Sequence, residues 1–108
     1  MTALKEIKAF IHRNRVADVI HALKKAGFRD LSVIDVKGIL KALDSQEQEY
    51  SIEIGEKVIT EVKVELVCEV NQLDEAVDII RDNAHTGQPD AGCIYVSDIA
   101  AKIPIEGR

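Results

Sequence analysis

Tryptophan is absent, and only two tyrosines and two phenylalanines are present. So few aromatics leave little surface on which the bases of single-stranded nucleic acid could stack. Long basic runs are missing too, Lys24-Lys25 being the longest, and the formal net charge is −5. Both facts argue against a partner recognised through its phosphate backbone. A membrane-spanning helix needs roughly 20 mainly apolar residues in a row, and no such stretch occurs. The opening Met1-Thr2-Ala3-Leu4-Lys5-Glu6 lacks the apolar core of a signal peptide, so the expected location is the cytoplasm. Two cysteines do not make a disulfide framework. Cys68 and Cys93 stand in strand-like runs and read as buried free thiols in a reducing compartment.

What is present is an ordinary globular composition: 108 residues, 46% apolar and 31% charged. This length favours one domain over residues 1–108, large enough for a core without staples. Ile7, Ala9 and Ile11 fall on one face of a strand over 4–12, with Leu4, Phe10 and His12 on the other. Asn14 can cap a following helix, about 15–26. Its apolar stripe is Val16, Val19, Ile20 and Leu23, and Lys24, Lys25 and Gly27 suit its end. Leu31-Ser32-Val33-Ile34-Asp35-Val36-Lys37-Gly38 belongs to a second strand, about 29–37.

Residues 39–48 have no clean period. From Glu49 the period becomes two, with Tyr50, Ile52 and Ile54 alternating with polar residues. Gly55-Glu56 fits a type II′ hairpin turn. The run Val58 to Val70 then reads as a long strand with Val62, Val64, Leu66, Cys68 and Val70 on one face. Its first half and the acidic stretch before it should project as an arm, about 38–58. A second helix, about 72–85, has Asn71 as cap, Leu73, Ala76, Val77, Ile80 and Ala84 as stripe, and Gly87 as stop. A turn-rich loop leads to a strand over 93–97, and residues 99–105 can form a short fifth strand kept to an edge by Pro104. The order βαββαβ predicts an α+β, ferredoxin-like fold: an antiparallel sheet with two helices on one face. The uncovered face, with Phe10 and Val67 among charges, favours a homo-oligomer.

Metal-ligand spacing is absent among His12, His21, His85 and the cysteines, so no metal site is expected. Ser32, Ser45, Ser51 and Ser97 stand in no nucleophile elbow, and no catalytic residue is assigned. The loop Thr86-Gly87 to Gly92 could bring backbone amides to an anion, with Lys37, Gly38 and Lys41 adding positive charge at the base of the arm. The same glycines also read as a helix stop and a turn.

Three segments resemble the P-II nitrogen regulatory proteins. Val33-Ile34-Asp35-Val36-Lys37-Gly38 is similar to the family's entry into its T-loop. Glu49-Tyr50 and the strand through Lys63-Val64-Glu65-Leu66-Val67 resemble the exit. Ala84-His85-Thr86-Gly87, then Gly92 and Ile94-Tyr95-Val96-Ser97-Asp98-Ile99-Ala100, resemble the last loop and strand. The likeness covers about residues 5–103 and rests on order and spacing. It implies a non-enzymatic signalling protein of nitrogen or carbon metabolism. It further implies a homotrimer with no tightly bound cofactor, whose adenine nucleotide effector (AMP, ADP or ATP) sits in clefts between subunits. Ser32, Lys37, Gly38, Lys41, Thr86, Gly87, Gly92 and Cys93 then fall at the nucleotide. Leu43, Glu47, Glu49 and Tyr50 fall on the T-loop that docks onto a target enzyme, transporter or regulator, with membrane contact only through a transporter. The family's T-loop-base lysine corresponds to Lys57 or Lys63, and Tyr50 to a tyrosine that some bacteria uridylylate.

The departures are chemical. Leu40, Lys41 and Ala42 stand where the family has Gly, Arg and Gln, and Ala42 cannot help hold magnesium or 2-oxoglutarate. Cys93 replaces a phosphate-binding lysine. Ala101, Pro104 and Glu106 fall where basic residues are expected. Each lost charge-assisted bond removes roughly 1.5–3 kcal/mol, which favours a smaller nucleotide, AMP or ADP, or another anion, over ATP with magnesium and 2-oxoglutarate. The alternatives are a trimeric metal-handling protein like the CutA family, which shares the fold plan, or an interaction module whose acidic arm binds without any ligand.

Overall fold

The computed structural model describes residues 3–35, 61–87 and 91–107. Its elements run β1 (Leu4–His12), α1 (Val16–Lys25), β2 (Leu31–Asp35), β3 (Glu61–Glu69), α2 (Leu73–Ala84) and β4 (Gly92–Ile99). The strands form one antiparallel sheet in the order β2-β3-β1-β4, the expected ferredoxin-like plan. The long β1 and β3 occupy its middle. Their period-two alternation sends Ile7, Ala9 and Ile11, with Val62, Val64, Leu66 and Cys68, to one face, where all are buried. The helices close that face with Val19, Leu23, Ala76 and Ile80, each wholly buried. The opposite face carries Phe10 and Val67 among ion pairs, Lys8 to Glu6 at 3.4 Å and Lys63 to Glu65 at 3.1 Å. Lys63 is thus held in the body of β3. The proposed hairpin at Gly55-Glu56, the arm over 38–58 and Lys57 lie outside the described residues.

Both helices are entered the same way, and not through the asparagines. A 3-10 turn, Arg13–Arg15, precedes α1, and the Asn14 N–H donates to His12 Nδ1 at 3.3 Å. Asn14 therefore sits inside the turn, and the acceptor is two residues earlier. Before α2, Val70–Gln72 form a second 3-10 turn closed by a reciprocal capping box between Glu69 and Gln72. Asn71 lies within it. Val70 leaves the strand, and its N–H donates to the Ala3 carbonyl at 2.9 Å, so the side chain expected in the core is half-exposed.

The helix ends differ. Gly27, at φ 97, donates to the Lys24 carbonyl, while Phe28 N–H reaches the Leu23 carbonyl, both at 3.0 Å. This is a Schellman closure, with Phe28 buried as its apolar partner. α2 stops instead at Ala84, because His85 turns extended at ψ 133. Gly87 lies beyond, in the loop, and is not the stop. Arg15 fastens this end by donating from Nε to the Asn83 carbonyl at 3.0 Å, and its Nη1 pairs with Asp18 at 3.2 Å. Arg15→Ala is expected to lower stability by about 1.5–3 kcal/mol, the range of one charge-assisted bond. Urea denaturation beside Arg15→Lys, which keeps part of the bond, measures it.

The fifth strand does not form. β4 runs on to Ile99, and residues 101–107 follow without regular structure. Pro104 has no N–H to give a ladder, and Ile103 and Ile105 stand exposed.

Candidate functional site

One row of paired residues crosses the sheet at the end where β1 finishes: Asp35, Val62, Ile11 and Gly92. The segment joining β2 to β3 is rooted there, and so is the loop before β4. Register alone therefore brings the base of the arm and the Gly-rich loop to the same end of the sheet.

Gly92 begins β4 at φ +129. A Cβ at this position would lie 2.0 Å from the carbonyl oxygen of Phe10. Only glycine lets β4 pair with β1 so closely at its first residue. Next to it a cavity of about 240 Å³ opens between β1, the end of α2 and the start of β4. Ile11, Ile80, Ala84, Ala91 and Ile94 give it an apolar wall, Arg81 and His85 stand at one side, and Phe10 and Cys93, whose side chains belong to the opposite face of the sheet, complete its lining. No carboxylate is among its described lining residues. An apolar wall with a guanidinium and an imidazole at one side suits a flat organic anion better than a bare cation. Among the described residues no group of three or more His, Cys, Asp and Glu is placed to hold a metal ion.

Of the residues expected at an anion, Gly92 and Cys93 line this cavity. Gly87, at φ 78, and Thr86 lie in the loop just beyond α2. Ser32 does not join them. It is exposed on β2 and paired with Glu65, at the sheet edge opposite β4. Lys37, Gly38, Lys41, Leu43, Glu47, Glu49 and Tyr50 lie outside the described residues. Arg81 was not among the residues expected at the site, and His85 was weighed there only as a metal ligand and as part of the last-loop resemblance. The available signal was two basic residues four apart at a helix end, just before a Gly-rich loop.

Cys93 corrects a further expectation: it is exposed, whereas Cys68 is buried, and both are free thiols. Burial pushes the Cys68 thiol upward from its ordinary value, which keeps it protonated and inert. Cys93 stands beside Tyr95, whose ring meets Phe10 edge to face with centroids 5.9 Å apart. A hydrogen bond with Cys93, with a smaller electrostatic contribution from the same residue, raises the Tyr95 pKa. A raised pKa means that the folded chain holds this proton more tightly. The associated stability is complete below the unfolded tyrosine pKa and is lost as pH rises through the folded one. In a Tyr50→Phe background, Cys93→Ala is expected to lower the midpoint of the phenolate absorbance titration. An unchanged midpoint would deny the coupling.

The sequence pattern of the family described as "Nitrogen regulatory protein P-II" matches residues 4–106. The nitrogen regulatory protein P-II 1 of Methanothermobacter thermautotrophicus is 30% identical over 99 residues, covering 92% of this chain and 86% of that protein. The nitrogen regulatory protein GlnK of Escherichia coli K12 is 29% identical over 102 residues, covering 94% and 91%. The crystal structure of Arabidopsis thaliana PII bound to citrate superposes with a TM-score of 0.73 at 26% identity, over 96% of this chain and 84% of that one. The chain belongs to the P-II family of nitrogen regulatory proteins.

Proposed function

We propose that this chain is a non-enzymatic, cytoplasmic regulator that binds an adenine nucleotide between subunits of a homotrimer. In this reading it acts on a target enzyme, transporter or regulator through the arm between β2 and β3. The observation that carries the reading is the separation of its site residues. Ser32 lies on one edge strand, and Gly92 and Cys93 on the other. One subunit cannot bring these edges together, but neighbouring subunits can, and a site using both is then a cleft between copies. Within that cleft, the apolar wall near Ile11 and Ile80 takes the base and Arg81 takes phosphate. With Cys93 in place of a lysine and Ala42 in place of a glutamine, AMP or ADP fits better than ATP with magnesium and 2-oxoglutarate. The arm then responds by population shift, since a bound ligand favours whichever arm state it contacts better.

Light scattering combined with a thermal-shift screen tests this reading. A trimer is expected, with a melting temperature that rises with AMP or ADP concentration because a ligand bound to the native state stabilises it. A monomer, or no response to any of AMP, ADP, ATP and cyclic AMP, would refute it.

A further inference from the structure

His85 ends α2 by turning extended at ψ 133. Its side chain is exposed and lines the cavity together with Arg81, four residues earlier. Over those four residues the helix axis rises about 6 Å, so one phosphate group is within reach of both side chains. They are the two basic groups among the described lining residues, and no carboxylate stands with them. They differ in one respect. A guanidinium keeps its charge throughout the physiological range, whereas imidazole is the side chain whose charge changes between about pH 5 and 8.

Among the described residues, the elements packed around His85 bring no second titratable group into this side of the cavity. β1 contributes Phe10 and Ile11, and β4 contributes Gly92, Cys93 and Ile94, with the Cys93 side chain on the opposite face of the sheet. Asp82, also at this end of α2, is exposed and does not line the cavity. Arg15, from the turn before α1, is held by the Asn83 carbonyl and Asp18. His12, at the end of β1, accepts the Asn14 N–H and is not a lining residue.

We propose that His85 is the second phosphate contact of this site and that its protonation links nucleotide binding to pH. The imidazolium and the Arg81 guanidinium hold the phosphate together, and the neutral imidazole leaves Arg81 to hold it alone. Binding then takes up a proton, and affinity rises as pH falls from 8 to 6.5. The ligand's own titration runs the other way. A phosphate monoester loses its second proton at about pH 6, so raising the pH makes AMP more negative and favours its binding to a fixed cation. A gain toward pH 6.5 therefore belongs to the protein. The proposal rests on the nucleotide reading above and adds a regulator to the same site.

Titration calorimetry with AMP and adenosine tests it, at pH 6.5 and 8.0 and in two buffers of different ionisation enthalpy. Wild-type protein is expected to bind AMP several-fold more tightly at pH 6.5, with proton uptake, and to bind adenosine equally at both. In His85→Gln the preference of AMP for pH 6.5 is expected to disappear. Because His85 is exposed, the fold should tolerate this change. Equal AMP affinity at both pH values in the wild type, the same preference in His85→Gln, or a matching preference for adenosine would overturn the role of His85 and leave the nucleotide site standing. Failure of the wild-type protein to bind AMP at either pH would overturn the site itself.

Discussion

Gly92→Ala is expected to destabilise the protein by about 2–3 kcal/mol and to abolish nucleotide binding with it. The added methyl group meets backbone on every side: Phe10 O at 2.0 Å, Phe10 C at 3.1 Å and Ile11 Cα at 3.4 Å. No rotamer relieves such contacts, so β4 must move away from β1. The conformation at φ +129 also disfavours any side chain, and strain of this kind is worth about 1–3 kcal/mol. β4 is an edge strand, so the sheet can survive the shift. The cavity cannot, because Phe10, Ile11 and Gly92 are its walls. Urea denaturation and nucleotide calorimetry at one protein concentration measure both losses. Wild-type stability in the variant would contradict the close approach.

Leu23→Ala is expected to cost more stability and to leave the site intact. Leu23 is wholly buried where α1 packs against the sheet and α2. Truncating such a leucine removes about 2–5 kcal/mol, depending on how far the surroundings collapse into the void. Leu23 lines neither concavity. The fraction that remains folded should therefore bind nucleotide with unchanged affinity. The two variants separate a general loss of stability from a loss of the site. If Leu23→Ala also weakened binding in its folded fraction, the cavity would not be independent of the core around Leu23.

The legible part of the sequence was the part governed by periodicity. Ile7, Ala9 and Ile11, and Val62, Val64, Leu66 and Cys68, declare their buried face because alternation is forced on any half-buried strand. The stripes through Val19, Leu23, Ala76 and Ile80 do the same for the helices. Helix ends were harder. An asparagine just before an apolar stripe signals a cap, but inserting a 3-10 turn moves the strand-to-helix junction two or three residues. His12 and Glu69 then do what Asn14 and Asn71 promised. Gly27, preceded by Lys24 and Lys25, identified a true stop. Gly87 did not, because α2 ends when His85 turns extended, a choice of ψ that composition does not encode. The fifth strand failed because a run of β-formers is a strand only where a partner edge receives it, and Pro104 removes a donor.

The site was half legible. Glycines mark Gly87 and Gly92 from sequence, since a positive φ leaves few alternatives. Arg81 and His85 gain their role only when α2 and β4 are packed side by side, which is tertiary information. Ser32 lies apart because strand order, not chain order, decides which edge it occupies.

Titration calorimetry of AMP and ADP against the trimer, compared with Arg81→Gln, shows whether the cavity between β1, α2 and β4 holds the phosphate. Binding at one nucleotide per subunit, weakened about tenfold or more by loss of a charge-assisted phosphate contact, is the predicted result. Equal affinity in the two proteins, or no binding to either, would contradict it.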